Sequence, residues 1–310
     1  MEQKAASAAP VLATLDFPNP DSQRRFATLV GVDDVTQTLR KELAIGLNPA
    51  EFEKWLAAGG APRALTAIMG KRSSLYLLAG DVGTGKTEIG ETIGDSVARE
   101  LGIPVTLFRM GLGMRGSGLV GEMSRLISSG FDEVMQAAKR WKVGGKARAA
   151  GVLFIDEADA LAQSRELMQM HHEDRAGVNS LIRGIDDIGR ADVPVAIVLA
   201  TNRLEALDPA VRRRAARTFE LGRPNEAQRR ALFTKYLSGL SNLEPALPQL
   251  IAVTGPTADR PYGYTYSDIV MRLIPDAILA AYPTSSLSTT LLIAIAGAMQ
   301  PTPPFKSATG

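Results

Sequence analysis

Uninterrupted apolar runs alternate with amphipathic stretches over most of the chain before residue 224. A strand that is buried on both faces lacks polar alternation, so these runs predict buried strands at 74–80, 103–110, 151–157 and 193–202, with a further strand at 216–221. Apolar side chains recur at helical spacing at 33–45, 88–101, 130–142 and 177–188. This alternation predicts an α/β fold with a parallel sheet covered by helices on both faces.

After residue 224 the pattern becomes entirely helical. Apolar residues recur at helical spacing at 226–237, 266–282 and 285–299, which predicts a small all-helical domain. Residues 1–25 are rich in Ala, Pro and Ser, which favours an arm. We therefore predict an N-terminal arm over 1–25, an α/β domain over 26–223, and a helical domain over 224–310 with a frayed end at Pro301, Pro303 and Pro304.

Composition narrows the possible classes of function. The chain has no cysteine, which excludes disulfides and thiolate metal sites. Its formal net charge of +2 gives no reason to expect a nucleic-acid partner. The longest apolar run, at 291–299, is far shorter than the roughly 20 residues that span a bilayer, and the N-terminus lacks the features of a signal peptide. We expect a cytoplasmic protein that binds neither membranes nor nucleic acids.

Residues 80–87, GDVGTGKT, match the phosphate-binding pattern G-x-x-x-x-G-K-[ST] in full. A predicted strand precedes them and an amphipathic helix follows, which is the context that the pattern requires; the alternative is a glycine turn with a chance lysine. We expect Lys86 to reach the β- and γ-phosphates of ATP and Thr87 to offer its hydroxyl to Mg²⁺, while backbone N–H groups surround the phosphates. The predicted nucleotide-binding residues of this loop are Asp81, Val82, Gly83, Thr84, Gly85, Lys86 and Thr87.

Two more of the predicted strands end in polar residues. Asp156 and Glu157 follow the apolar run 152–155, and Asn202 ends the next predicted strand. Asp156 could hold Mg²⁺, Glu157 could polarise the water that attacks the γ-phosphate, and Asn202 could orient that water. The alternatives are two solvated carboxylates and an asparagine that caps a turn. The complete phosphate-binding loop upstream favours the catalytic interpretation.

Arg212, Arg213 and Arg214 form a short basic triplet after residues 207–211. An arginine that reaches a γ-phosphate stabilises the charge of the transition state, and a neighbouring subunit can supply it. The alternative is a solvated basic helix end.

Residues 111–116, GLGMRG, fit the dinucleotide-binding pattern G-x-G-x-x-G. That pattern belongs after the first strand of its fold and opens a helix. Here it follows the second predicted strand, and more glycines come next. We therefore favour another role for these glycines.

In this order, these residues resemble an AAA+ ATPase. The matching pieces are residues 31–35, 80–87, 153–161, 199–203 and 207–226. The resemblance implies a RecA-like P-loop domain and a helical lid, assembled as a hexameric ring with ATP sites between subunits. It also implies that Arg213 and Arg214 are arginine fingers that act on the neighbour's nucleotide, and that Gly31 and Val32 line the adenine pocket.

Residues 153–166 followed by 174–188 resemble the pachytene-checkpoint group of AAA+ ATPases. This resemblance implies remodelling of HORMA-domain proteins, in the form that acts beside such proteins and cyclic-nucleotide synthases in bacterial antiphage defence. The severing and ESCRT-disassembly ATPases are close competitors, because residues 210–226 also resemble theirs. One departure is Ser267, which stands where the group carries a sensor arginine; Arg272 lies in the next turn.

The resemblance assigns residues 118–123, GLVGEM, to the first pore loop of an AAA+ ring. Leu119 and Val120 then occupy the positions of an aromatic and an aliphatic residue, and they would grip an extended polypeptide. The alternative is a mobile surface loop with no specific role. A second pore loop is expected near residues 167–174, where the neighbours His171 and His172 lack the further ligands of a metal site.

Three classes of function remain. The first is a hexameric Mg²⁺-dependent ATPase that remodels a protein partner, for which we expect a HORMA-domain protein. The second is a nucleotide-gated scaffold that binds a partner without translocating it, and the intact pair of Asp156 and Glu157 argues against it. The third is a DNA-associated AAA+ loader, which the near-neutral charge disfavours.

Overall fold

The computed structural model describes residues 12–62, 72–111, 122–144, 146–162 and 172–305. Its main strands are β1 (Ala13–Phe17), β2 (Leu75–Gly80), β3 (Val105–Gly111), β6 (Ala150–Asp156), β7 (Val195–Thr201) and β8 (Ala215–Leu221), and β4 (Lys142–Val143) pairs with β5 (Lys146–Ala147) in a hairpin. The main strands form one sheet in the order β1-β3-β6-β7-β2-β8. All neighbours in it are parallel except β1, which runs antiparallel to β3.

Helices cover the sheet and form a separate group after β8. The first set is α1 (Pro20–Thr28), α2 (Asp33–Leu47), α3 (Ala50–Ala57), α4 (Lys86–Leu101), α5 (Glu122–Ala138), α6 (Asp159–Ala162), α7 (His172–Arg190) and α8 (Pro209–Arg212). The second set is α9 (Glu226–Tyr236), α10 (Leu243–Val253), a π-helix (Asp268–Leu273), α11 (Ile274–Ala281) and α12 (Thr289–Ala298). None of the helices in the described ranges is both long enough and apolar enough to cross a bilayer.

Alternate residues of the central strands face two different hydrophobic cores. In β2, Leu75 and Leu77 face the core that α5 and α7 complete, whereas Tyr76 and Leu78 face the core that α2 and α4 complete. Because both faces of the strand are buried, apolar residues are needed at every position, and the strand appears in the sequence as a continuous apolar run. The predicted α/β fold is confirmed, and its sheet is parallel as predicted except for β1.

The helices after β8 pack around a third core, which contains Leu232, Phe233, Leu250 and Ile269. Tyr264 is fully buried among them. Its hydroxyl lies 2.6 Å from the carbonyl oxygen of Ala296, a hydrogen bond that satisfies its polar atom inside the core. This unit therefore has an interior of its own.

The predicted arm at the N-terminus is wrong for the residues that the structure describes there. Residues 13–17 add β1 to the edge of the sheet, and Phe17 is buried against the position of Gly94 in α4. Asn19 then caps α1, and its backbone N–H donates to Asp95 at 2.6 Å. The Ala-rich composition hid the alternation of residues 14–17, in which Leu15 and Phe17 both pack against the core.

The predicted frayed end is also wrong as far as residue 305. Pro301 is buried, and both the backbone N–H and the hydroxyl of Thr302 donate to the buried carboxylate of Asp268, at 3.0 and 2.7 Å. The backbone N–H of Phe305 donates to Asp81, so residues 300–305 return to the phosphate-binding loop. Their prolines are compatible with this path because residues 300–305 belong to no helix or strand that needs their backbone donors.

Candidate active site

A cleft of about 470 Å³ lies between the carboxyl edge of the sheet and the helical unit. Its volume is within the range of small-molecule sites. The cleft brings together residues from the loop after β2, the ends of β6 and β7, the segment before α2, and the π-helix. The predicted site residues that line it are Val32, Val82, Gly83, Thr84, Gly85, Lys86, Thr87, Asp156, Glu157 and Asn202.

The loop of residues 80–87 has the backbone form that phosphate binding requires. Gly83 and Gly85 have φ values of +74° and +95°, which side-chain-bearing L-residues adopt only at a cost. The hydroxyl of Thr84 donates to the carbonyl oxygen of Asp81 at 2.8 Å and closes the loop. Gly85 is the N-cap residue of α4, and it lines the cleft with Lys86 and Thr87, so the free N–H groups of a helix N-terminus lie at the cleft.

Lys86 is bonded to the loop in this structure. Its ammonium group donates to the carbonyl oxygens of Gly80 and Asp81, at 2.9 and 2.6 Å, and only 6% of the residue is exposed. Burial lowers the pKa of Lys86 to about 8, although the nearby carboxylates of Asp156 and Asp81 partly oppose this effect. Phosphate oxygens that replaced these carbonyls would favour the charged ammonium further.

The end of β6 places two carboxylates at the mouth of the cleft. The hydroxyl of Thr87 donates to Asp156 at 3.0 Å, and the other oxygen of Asp156 accepts from the backbone N–H of Glu157 at 2.9 Å. Glu157 is exposed, and its φ of +53° lies in the left-handed region that is unfavourable for a glutamate. Such strain is common where a functional side chain must point out of a strand end.

Thr87 and Asp156 are chemically suited to Mg²⁺, because this ion prefers oxygen ligands and usually binds through few protein groups beside phosphate and water. The described residues contain no cluster of three or more acidic, histidine or cysteine side chains that could hold a metal on its own. Thr87 and Asp156 would leave the other ligand positions of the ion to phosphate and water.

Sequence reasoning missed the part played by Asp159. This buried residue in α6 accepts from the backbone N–H of Asn202 at 3.1 Å and from the hydroxyl of Thr201 at 3.3 Å. It therefore ties the end of β7 to the end of β6 and fixes where Asn202 stands. The only signal in the sequence was a third acidic residue shortly after Asp156 and Glu157.

The predicted arginine fingers lie outside the cleft of their own chain. Arg213 is exposed at the end of α8. Arg214 makes a fork with the carboxylate of Asp186, at 2.6 and 2.9 Å, and this pairing lowers the pKa of Asp186. Arg213 is therefore free to reach another molecule, whereas Arg214 would first have to leave Asp186.

The segment before α2 forms the apolar wall of the cleft, together with the helical unit. Val32 lines the cleft, while Gly31 lies beside it with a φ of +71°. The carbonyl oxygen of Gly31 accepts from the side chain of Gln228 in α9 at 2.6 Å. The hydroxyl of Tyr236 donates to the carbonyl oxygen of Thr28 at 3.0 Å, so α9 holds this segment at two points.

The π-helix contacts the phosphate-binding loop through Ser267. Its backbone N–H donates to the carbonyl oxygen of Gly83 at 3.1 Å, and Ser267 lines the cleft. Arg272 instead pairs with Asp268 at 2.8 Å and donates to the carbonyl oxygen of Gln300. In this structure Arg272 does not line the cleft, so a serine faces the site where the resemblance leads one to expect an arginine.

Replacing Gly83 with alanine should separate the loop from the helical unit. The added methyl would lie 2.7 Å from the hydroxyl oxygen of Thr265 and 2.9 Å from the Cβ of Ser267. We expect the Kd for ATP to rise about tenfold, which corresponds to about 1.4 kcal/mol, as measured by titration calorimetry.

Gly102→Ala is the matched control for this substitution. Gly102 has a similar φ of +64°, but a Cβ there meets nothing within 4 Å. Both variants should lose about 1 kcal/mol of stability from backbone strain, while only Gly83→Ala loses ATP affinity. Equal ATP affinities in the two variants would contradict the contact between the loop and the helical unit.

The two predicted pore-loop residues, Leu119 and Val120, lie outside the described residues, as does His171. Gly111 ends β3, and residues 112–121 of the glycine-rich stretch are likewise not described. The assignment of this stretch to a pore loop therefore stays a prediction.

The sequence of the chain is similar to those of known proteins. The model of the ATPase family associated with various cellular activities (AAA) matches residues 76–223. CD-NTase-associated protein 6 of Escherichia coli strain MS 115-1 is 49% identical over 294 residues, which are 94% of each chain.

Two solved structures extend the likeness from sequence to three dimensions. A chain of the HORMA:CdnC:Trip13 complex of E. coli MS115-1 has a TM-score of 0.88 at 46% identity, and the match covers 96% of this chain and 98% of that one. A Rhizobiales Trip13 has a TM-score of 0.74 at 39% identity, with 94% and 99% covered.

Proposed function

The chain belongs to the AAA family of ATPases, and from this membership we propose that it uses ATP hydrolysis to remodel a HORMA-domain protein in bacterial antiphage defence. The observation that carries the proposal is the likeness, at 46% identity and over nearly the whole of both chains, to a chain of a complex that contains HORMA, CdnC and Trip13. The name of the 49% identical relative, a CD-NTase-associated protein, supports the same setting.

The cleft supports distinct roles for its residues in ATP hydrolysis. The exposed carboxylate of Glu157 would take a proton from the attacking water, and Asn202, held by Asp159, would orient that water. Thr87 and Asp156 would hold Mg²⁺, which neutralises phosphate charge when it is bound. Lys86 would exchange its bonds to the carbonyls of Gly80 and Asp81 for bonds to the β- and γ-phosphates.

We also propose that the enzyme acts as a homohexamer with Arg213 and Arg214 reaching the ATP of a neighbour. Neither arginine lines the cleft of its own chain. Arg213 is exposed directly after the short helix α8, as a residue that acts on another subunit must be. An arginine supplied in this way would stabilise the transition state only when the ring is assembled.

If Leu119 and Val120 grip the substrate, their loss should affect remodelling and leave ATP hydrolysis intact. A double substitution of both by alanine should lower the rate of partner remodelling at least tenfold, because the loop loses apolar contact area. ATP hydrolysis without partner should persist, because this change is confined to the loop. The measurement compares both rates with those of Leu126→Ala, a change at an exposed apolar position of α5. Wild-type remodelling by the double variant would refute the pore-loop assignment.

The experiment that tests the proposed function measures ATP hydrolysis with and without a purified HORMA-domain protein from the same genome. A remodelling enzyme should hydrolyse ATP faster in its presence, and the increase should depend on Glu157. A nucleotide-gated scaffold would bind the same protein without this increase. Salt-sensitive DNA binding would instead support the loader.

A further inference from the structure

Asp81 places a carboxylate inside the loop that must receive a triphosphate. Its Oδ1 accepts from the backbone N–H of Val82 at 2.8 Å and from that of Phe305 at 3.2 Å. Its carbonyl oxygen accepts from Lys86 and Thr84. Asp81 therefore shapes the loop, but its negative charge is of the same sign as that of the ligand.

Arg223 supplies the opposite charge. Its Nε donates to Asp81 at 2.8 Å, its Nη2 donates to the same oxygen, and the two side chains are only 13% and 17% exposed. The guanidinium also lies over the ring of Tyr262, 5.0 Å from the ring centroid. Such a shielded, forked pair has a well-defined geometry, which distinguishes it from an exposed ion pair.

The same arginine links the loop to the helical unit. Its Nη1 donates to the carbonyl oxygen of Gly263 at 2.7 Å, just before the segment that leads to the π-helix. Arg223 itself lies between the end of β8 and the start of α9. Together with the bond from Ser267 to Gly83, this contact fixes the loop against the helical unit on two sides.

We propose that Arg223 is a positioning residue for ATP, which acts by neutralising the carboxylate of Asp81 in the phosphate-binding loop. Without Arg223, Asp81 would leave an uncompensated negative charge beside the triphosphate. This charge would weaken the binding of ATP more than that of ADP. Adenosine carries no phosphate and would not be affected. This inference concerns nucleotide binding alone, and it holds whatever protein the enzyme remodels.

The test uses four versions of the full chain. They differ in the net charge of residues 81 and 223, while the substituted side chains keep a similar size. They are the wild type, Arg223→Gln, Asp81→Asn, and the double variant. The Kd values of ATP, ADP and adenosine are measured by calorimetry at low and at high salt. Arg230→Gln, a change at an exposed arginine of α9, is the matched control and should behave like the wild type.

If the net charge of Asp81 and Arg223 sets the affinity for ATP, the affinity should fall when this charge is negative and rise when it is positive. Arg223→Gln should bind ATP about tenfold more weakly, Asp81→Asn should bind it more tightly, and the double variant should return to within about threefold of the wild type. The differences should be smaller for ADP, absent for adenosine, and reduced by salt.

A purely structural role for the pair predicts a different order of affinities. The double variant would then bind ATP no more tightly than Arg223→Gln does, and the binding of adenosine would weaken as much as that of ATP. Either result would overturn the inference. If Arg223→Gln fails to fold, Asp81→Asn decides the question alone, because ATP binding that is no tighter than in the wild type would contradict the charge argument.

Discussion

Replacing Glu157 with glutamine should lower the rate of ATP hydrolysis by about 10²- to 10⁴-fold, the range that a positioned general base contributes. Glutamine keeps the size and the polarity of the side chain but cannot take a proton from water. ATP binding should persist, because the contacts of Lys86 and Thr87 do not involve Glu157. Single-turnover hydrolysis and calorimetric binding of ATP measure the two effects separately.

Glu205→Gln is the control for this variant, because Glu205 is an exposed glutamate that does not line the cleft. It should hydrolyse ATP at the wild-type rate. If Glu157→Gln turned over ATP as fast as this control, Glu157 would not be the base. If it failed to bind ATP, the loss of hydrolysis would have a different cause.

Replacing Arg213 with alanine should slow hydrolysis by about 10³-fold or more, because an arginine finger contributes on that scale. Arg212→Ala, a change at the exposed neighbour in α8, is the matched control and should remain active. A mixture of Arg213→Ala and Glu157→Gln subunits should regain hydrolysis. In a mixed ring some sites combine Glu157 of one subunit with Arg213 of the next.

Recovery in such a mixture is the signature of a finger supplied in trans. The recovery requires that both variants assemble into one ring. The hydrolysis rate of the mixture should therefore exceed the sum of the rates that the two variants show when they are measured separately. No recovery over a range of mixing ratios would contradict a site shared between subunits. Full activity of Arg213→Ala alone would remove that residue from the catalytic machinery.

The fold and most of the cleft could be predicted because their signals are local. The buried strands are continuous apolar runs, and residues 80–87 carry a phosphate-binding loop in eight consecutive positions. Asp156 directly follows an apolar run, Asn202 directly follows the strand β7, and parallel strands bring their carboxyl ends to one edge. The same topology explains why Asp156 and Asn202 line the cleft together with Thr87.

The parts that could not be predicted depend on distant partners. Arg223 and Asp81 are separated by 142 positions, and Phe305 reaches Asp81 from 224 positions away. Nothing in the neighbouring sequence marks such a pair, because charged residues and prolines are equally typical of exposed loops. The strand β1 was missed for a similar reason, since its pairing with β3 is a long-range contact.

One helix of the second unit was also missed. Leu243–Val253 contains Pro248, and an internal proline argues against a helix in the sequence. In the structure this helix buries Leu247, Leu250 and Ile251 in the third core, and that packing outweighs the loss of one backbone hydrogen bond.

The most direct measurement of ATP-driven remodelling follows a preformed complex between a HORMA-domain protein and its binding partner, both from the genome that encodes this chain. The complex is monitored by fluorescence anisotropy after the chain and ATP are added. With the wild type the complex should dissociate at a rate that depends on ATP, whereas with Glu157→Gln it should stay intact and retain the ATPase. A complex that remains intact while the wild type hydrolyses ATP beside it would contradict remodelling of this class of protein.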